Sequence, residues 1–201
     1  AAALRIGRIG QDLMNGRISD ILVEFDPEGS LATTHKEQGS DMGLFGGFLG
    51  WEAHDERLVN AEQHIAAAGI NVKIEIKEIR ADHPNTYKIT LTNPEETRSI
   101  TAISTGGGMI EVINIDGAKV SMYGDYFETL IYTSDPKKVY QYLSDNCRYD
   151  SLEIKSGDFQ FVELKSQAFL DQTYLEELMD LEEVLSIKQI HPVLPVLSRQ
   201  N

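Results

Sequence analysis

Thiols are almost absent from this chain: Cys147 is the single cysteine in 201 residues. No intrachain disulfide can form, and one thiolate cannot by itself hold a zinc ion or an iron–sulfur cluster, which take several. Such usage fits a reducing compartment, the cytoplasm, with Cys147 read as a small buried apolar residue. Long hydrophobic runs are missing too. No apolar stretch approaches the roughly 18 residues of a membrane-spanning helix, and no signal peptide is visible. Basic residues are scarce: 18 Lys and Arg stand against 32 Asp and Glu, a formal charge of −14. That balance argues against duplex nucleic acid or an anionic membrane as the main partner, because neutralising phosphates takes clustered cations. A Gly-x-Ser-x-Gly elbow, a phosphate loop, a zinc signature and a dinucleotide fingerprint are all lacking. The sequence opens AAALRIG without a methionine, so a natural segment before Ala1 is expected.

What is present is ordinary globular material, 41% apolar and 25% charged, enough for one or two domains with a core of useful size. Residues 2 to 14 have Leu4, Ile9 and Leu13 on one helical face with Ile6 at its edge, and Asn15-Gly16 is a stop signal. ISDILVEF reads as a strand and DPEGS as a turn. Asp55 is a good N-cap for a helix with Leu58, Ala61 and Ile65 on one face, closed by Gly69. VKIEIKE and YKITL then alternate strictly, each with one buried and one wet face. RSITAIS, the TGGG loop, and MIEVINI and AKVSMY around Asp116-Gly117 complete an antiparallel meander. The predicted class is α+β, with N-terminal helices packed on a mostly antiparallel sheet over residues 1–124. Residues 125–201 then run strand, helix, strand, strand, helix, strand, with Asp135 as N-cap and Pro136 at N1 of the first helix. That order is the ferredoxin-like βαββαβ unit.

Several clusters could carry chemistry. In HPNT, Pro84 holds His83 extended, so His83, Asn85 and Thr86 are presented at the mouth between two strands. The trio could bind a carboxylate or an amino group, and His83 could shuttle a proton; a plain polar turn is the competing reading. In STGGGMIEV, the backbone N–H groups of Gly106, Gly107 and Gly108 could close around an anion, or the glycines could simply allow a tight connection. SDMGLFGGFLG is stranger. Gly43, Gly46 and Gly47 interrupt a helical apolar pattern at about 1 kcal/mol each. Asp41 could cap that helix so that free N–H groups gather at Gly39, Ser40 and Asp41 and face a ligand, while the glycines let another backbone come close. His35, His54, His64 and His191 are scattered and match no metal pattern.

RIGRIG, TTHKEQGSDMGLFGGFLGWEAHDERL, HPNTYKITL and ISTGGGMIEV, in this order, resemble the beta chain of bacterial iron–sulfur-dependent L-serine dehydratase over about residues 4 to 123. The resemblance implies a substrate-binding-type first domain, shared in fold with a domain of some phosphoglycerate dehydrogenases, and an ACT domain after it. It implies conversion of L-serine to pyruvate and ammonia. The partner would be an alpha chain whose cysteines hold a [4Fe-4S] cluster, the Lewis acid for the serine hydroxyl; this chain would hold no metal and be inactive alone. HPNT matches the family in full, so His83, Asn85 and Thr86 carry over. Gln38 stands where the family tends to have a histidine. Glutamine hydrogen-bonds but cannot act as a base, which leaves His35 or His83 as the candidate proton carrier, or a binding role without chemistry. TSDPKKV lacks the glycine that usually lets an amino-acid effector reach an ACT helix. A non-catalytic amino-acid sensor with an ACT-like dimerisation domain is the alternative. The expected site is one cup for a small zwitterion formed by Gln38–Asp41, His83–Thr86 and Gly106–Gly108.

Overall fold

The computed structural model describes residues 1–35 and 39–194. Helix α1 (Ala2–Leu13) buries Ala3, Leu4, Ile6, Gly7, Ile9, Gly10 and Leu13, more than one face. The reason is its position: it lies between helix α3 (Ser40–Phe48) on one side and strands β4, β5 (Thr97–Gly106, Met109–Ile115) and β10 (Val184–Ile190) on the other. Strand β1 (Asp20–Phe25) follows, then a single turn of helix, α2 (Leu31–Thr34). Asp55 does cap the next segment, accepting from Arg57 N–H. That segment begins as a 3₁₀ turn (Glu56–Asn60) and runs into α4 (Ala61–Ala67).

The first sheet has six strands in the order β2-β1-β3-β4-β5-β6, with β2 (Asn71–Ile76), β3 (Thr86–Thr92) and β6 (Ala118–Met122) the remaining members. The expected meander holds from β3 to β6, where every pair is antiparallel. VKIEIKE departs from it: β2 pairs parallel to β1 and sits at the edge, while β3 takes the other side of β1. Alternation reports which face is buried, not which neighbour a strand takes; here α3 and α4 intervene between β1 and β2 as a crossover, which makes them parallel.

The second half runs β7 (Phe127–Thr133), α5 (Pro136–Asn146), β8 (Ser151–Ser156), β9 (Gln160–Ser166), α6 (Gln172–Met179) and β10, with four strands ordered β10-β7-β9-β8, all neighbours antiparallel. Asp135 accepts from Lys138 N–H at the start of α5 and Pro136 opens the helix. One face of this sheet packs Ile131, Val162 and Leu164 against Val139 and Leu143 of α5 and Leu178 of α6. The other face, with Leu130, Tyr132, Phe161 and Ile190, joins the core of the first half.

A buried polar network stitches that seam. Lys188, 1% exposed, donates to both Glu96 oxygens (2.6 and 2.7 Å) and to Asn15 Oδ1 (2.6 Å). Tyr132 Oη donates to Asp116 Oδ2 (2.6 Å), and the Arg98 guanidinium lies 4.1 Å from the Tyr132 ring centre and 3.1 Å from Glu96. Each charge keeps a partner, which is the condition for burying it. None of the described helices is long and apolar enough to cross a membrane.

Candidate functional site

The helix that the glycines interrupt explains itself by its neighbour. Gly43 and Gly47 lie one turn apart on α3 and face Ala3, Leu4 and Gly7 of α1. A methyl group on Gly47 would overlap the Leu4 carbonyl oxygen and come within 2.8 Å of Arg8 N and Gly7 Cα. The two backbones thus touch, and their N-terminal ends are brought together at one side of the sheet. Into the same corner come the start of β3, carrying HPNT, and the tip of the β4–β5 hairpin. Gly107 and Gly108 form that tip with φ of 64° and 80°, the mirror-image turn that hairpins favour and that glycine adopts freely.

Between these parts is a cavity of about 290 Å³, lined by Ala1–Ala3, Leu31, Gly39, Ser40, Asn85, Tyr87, Ser104 and Gly108. Each of the three expected loops is therefore represented. Gly39 and Ser40 come from the α3 entry, Asn85 from HPNT and Gly108 from the glycine turn. Asn85 is held from two sides. Its Oδ1 accepts from Ser30 Oγ (2.6 Å) and its carbonyl from Ser104 N–H (3.0 Å). Ser30 N–H also donates to the Pro84 carbonyl at 3.0 Å, tying the DPEGS turn to HPNT. Asp26 organises the approach. It accepts from Glu28 N and Ala81 N, and these backbone donors, Glu28 first, hold its carboxyl below the usual range despite the opposing effect of burial.

Other expected residues stand behind the wall or apart from it. His83 is half-buried, outside the lining. Its Nδ1 accepts from Asn85 N–H (3.0 Å) and its carbonyl from Thr86 Oγ1 (2.6 Å), so both residues build the turn that presents Asn85. With Nδ1 accepting, the neutral ring carries its proton on Nε2. Gly106 and Gly107 have open space around them. Gln38 lies outside the described residues.

The α3 entry corrects one expectation. Gly39, in the left-handed region, is the N-cap, and Asp41 does not cap. Ser40 N–H and Asp41 N–H both donate to the His35 carbonyl, at 2.9 and 3.3 Å, so these donors are spent inside the chain. The Asp41 carboxylate instead meets His35 Nδ1 at 2.7 Å, and the His35 ring stacks on Phe25 at 5.0 Å. Both residues border a neighbouring apolar groove, not the cavity.

Three contributors went unseen in the sequence. Tyr87 falls on the inward face of YKITL and is buried, yet its hydroxyl reaches Ser40 Oγ (3.3 Å); burial pushes its ionisation up. Ser104 stands two residues before the first of the glycines, in STGGGMIEV. Arg5 donates to the Gly108 carbonyl (2.6 Å), clamping α1 to the hairpin tip. A larger groove of about 860 Å³ is lined by the segment that follows α5 and the one that leads into α6, and none of the HPNT, glycine or α3 residues lines it. Cys147 is in that groove, its thiol pushed up by burial and by nearby Asp171 and Glu177, so it stays protonated. Among the described residues no group of three or more His, Cys, Asp and Glu side chains is placed to hold a metal ion.

Fold and cavity together define an α+β protein with a small polar cleft built by the first sheet and its two touching helices. No family model matches the chain. It is 30% identical to the L-serine dehydratase beta chain of Peptoniphilus asaccharolyticus, over 78% of this chain and 70% of that one. It is 29% identical to the probable L-serine dehydratase beta chain of Bacillus subtilis (strain 168), over 94% of this chain and 89% of that one. The chain belongs to the L-serine dehydratase beta-chain family.

Proposed function

We propose that this chain is the beta subunit of an L-serine dehydratase, and that its cavity holds L-serine while a partner alpha chain supplies a [4Fe-4S] cluster. The observation that carries the proposal is the meeting of Gly39, Ser40, Asn85 and Gly108 in one cavity of about 290 Å³, a size suited to a small amino acid. Asn85 has its side-chain oxygen occupied by Ser30, which leaves its amide N–H groups to donate to the substrate carboxylate. Arg5, beside Gly108, adds positive charge at the same end. Ser40, Tyr87 and Ser104 offer hydroxyl oxygens to the substrate ammonium.

The net reaction removes the Cα proton and the Cβ hydroxyl of serine; the resulting enamine becomes an imine, and water releases ammonia and leaves pyruvate. His83 stands outside the cavity lining, and its part in this reading is to hold the turn that presents Asn85, its Nδ1 accepting from Asn85 N–H. The described lining contains no imidazole and no carboxylate, so the base comes from outside it. His35, paired with Asp41, positions the α3 entry. The cluster's part is to polarise the hydroxyl; no step assigned to this chain passes through it. Residues 1–124 are the substrate-binding-type domain in this reading and 125–201 an ACT-like domain, supported by the βαββαβ order and the β10-β7-β9-β8 arrangement. The compartment is the cytoplasm. A second reading, an amino-acid sensor without chemistry, is favoured by the lack of a base in the lining.

Anaerobic co-expression with an L-serine dehydratase alpha chain from the same organism tests both. The complex should release pyruvate and ammonia from L-serine, and Asn85→Ala should raise KM by about tenfold or more, the scale of a lost charge-assisted hydrogen bond. Serine binding without turnover would select the sensor. Neither binding nor turnover would refute the site.

A further inference from the structure

Strand β2 ends the first sheet with one side open. It pairs only with β1 among the described residues. Asn71 N–H and Lys77 N–H donate inward, to the carbonyls of Ser19 and Phe25. In a parallel ladder this places the odd-numbered residues on the β1 side and turns the N–H and C=O groups of Val72, Ile74 and Ile76 outward. The chain leaving β2 does not cover them. It crosses the end of β1, where Ala81 N–H meets Asp26 Oδ2 at 3.3 Å, on its way to β3. Lys73 and Glu75 stand on the face away from the groove, Nζ to Oε1 2.8 Å, their side chains 73% and 35% exposed. On the opposite face Val72, Ile74 and Ile76 line a groove of about 540 Å³ with Ile65 and Ile70, and Ile76 is 49% exposed.

We propose that β2 is the seam of a homodimer, two copies pairing β2 to β2 antiparallel about a two-fold axis at Ile74. The two first sheets then become one continuous sheet. The charge pattern selects the register. Outward backbone groups on even residues must meet outward groups on even residues. Centred on Ile74, Ile74 opposes its own copy, Val72 opposes Ile76, and Lys73 opposes Glu75 twice by symmetry. Changing the residue sum by two in one direction sets Lys73 against Lys77 and Glu75 against itself; in the other it sets Lys73 against itself. Changing it by four, to centre on Ile76, sets Ile74 against Glu78 and leaves most of the strand unpaired. Lysines on an edge deter pairing with strands in general; here the lysine meets a glutamate of its own copy in this one register. The axis is perpendicular to the sheet, so both helix layers lie on one side and the two apolar grooves adjoin, burying Ile74 and Ile76 as an isologous interface does.

Sedimentation velocity of the full chain over a wide concentration range tests this. The chain should form a dimer. Lys73→Glu and Glu75→Lys should each weaken association by about tenfold, since two cross-strand pairs turn repulsive at once. The double exchange Lys73→Glu/Glu75→Lys should restore it, a recovery that loss of folding could not produce. A chain that stays monomeric at ~100 µM, far above a micromolar constant, would overturn the proposal. So would a dimer indifferent to both single changes, or a double variant no better than the single ones.

Discussion

Gly47→Ala separates close backbone packing from mere helix propensity. In solvent the change would stabilise a helix by about 1 kcal/mol. Here the new methyl overlaps the Leu4 carbonyl oxygen and approaches Arg8 N and Gly7 Cα to 2.8 Å, all backbone atoms of α1 that cannot rotate aside. The helices must part. Overpacking of this kind costs about 1–3 kcal/mol, and a rigid neighbour belongs at the upper end. The net expectation is a loss of about 2 kcal/mol, or about 4–8 °C in Tm for a chain of this size. Gly46→Ala is the matched control. Its methyl would overlap Leu58 Cδ2, the far end of a flexible side chain, and lie 3.6 Å from Trp51 Cε3; Leu58 is half-buried and can turn away, so that variant should stay within about 1 kcal/mol of the parent. Urea unfolding followed by circular dichroism measures both. The reasoning fails if Gly47→Ala is as stable as Gly46→Ala, because the α1–α3 contact would then not be tight.

The seam network and the buried acids offer two more tests. Tyr132→Phe removes a donor from Asp116, a carboxyl whose ionisation burial already pushes up; the expected cost is about 1–3 kcal/mol by urea unfolding, and no loss would mean the hydroxyl is not needed there. Glu128, 2% exposed, has its carboxyl pushed well above the ordinary 4.5 by burial first and then by Glu163 beside it. The folded state therefore keeps a proton that the unfolded chain releases above about pH 4.5, so this group lowers stability progressively as pH rises from there through its folded value. Glu128→Gln should flatten that slope, so the variant gains stability over the parent as pH rises; an unchanged slope in thermal melts would refute the assignment.

Local physics sufficed for the elements. Helical spacing put α1 in place, strict alternation marked β2 and β3, Asp135-Pro136 opened α5, and Asp116-Gly117 turned β5 into β6. HPNT and the three glycines were also legible as loops that present polar groups, because proline and glycine restrict or free the backbone within a few residues. The glycines of α3 announced a close approach without naming its partner. Only the folded chain showed that α1 is that partner, that Gly47 rather than Gly46 makes the contact, and that Asp41 turns to His35 instead of capping its helix. The same holds for the parallel edge position of β2, for Tyr87, Ser104 and Arg5 at the cavity, and for Lys188 buried on Glu96. Each of these is a meeting of segments far apart in the chain. Backbone preference and hydrophobic period act over a few residues, whereas which hydroxyl faces a cavity, and which carboxylate meets a buried lysine, depends on how separate elements are packed together.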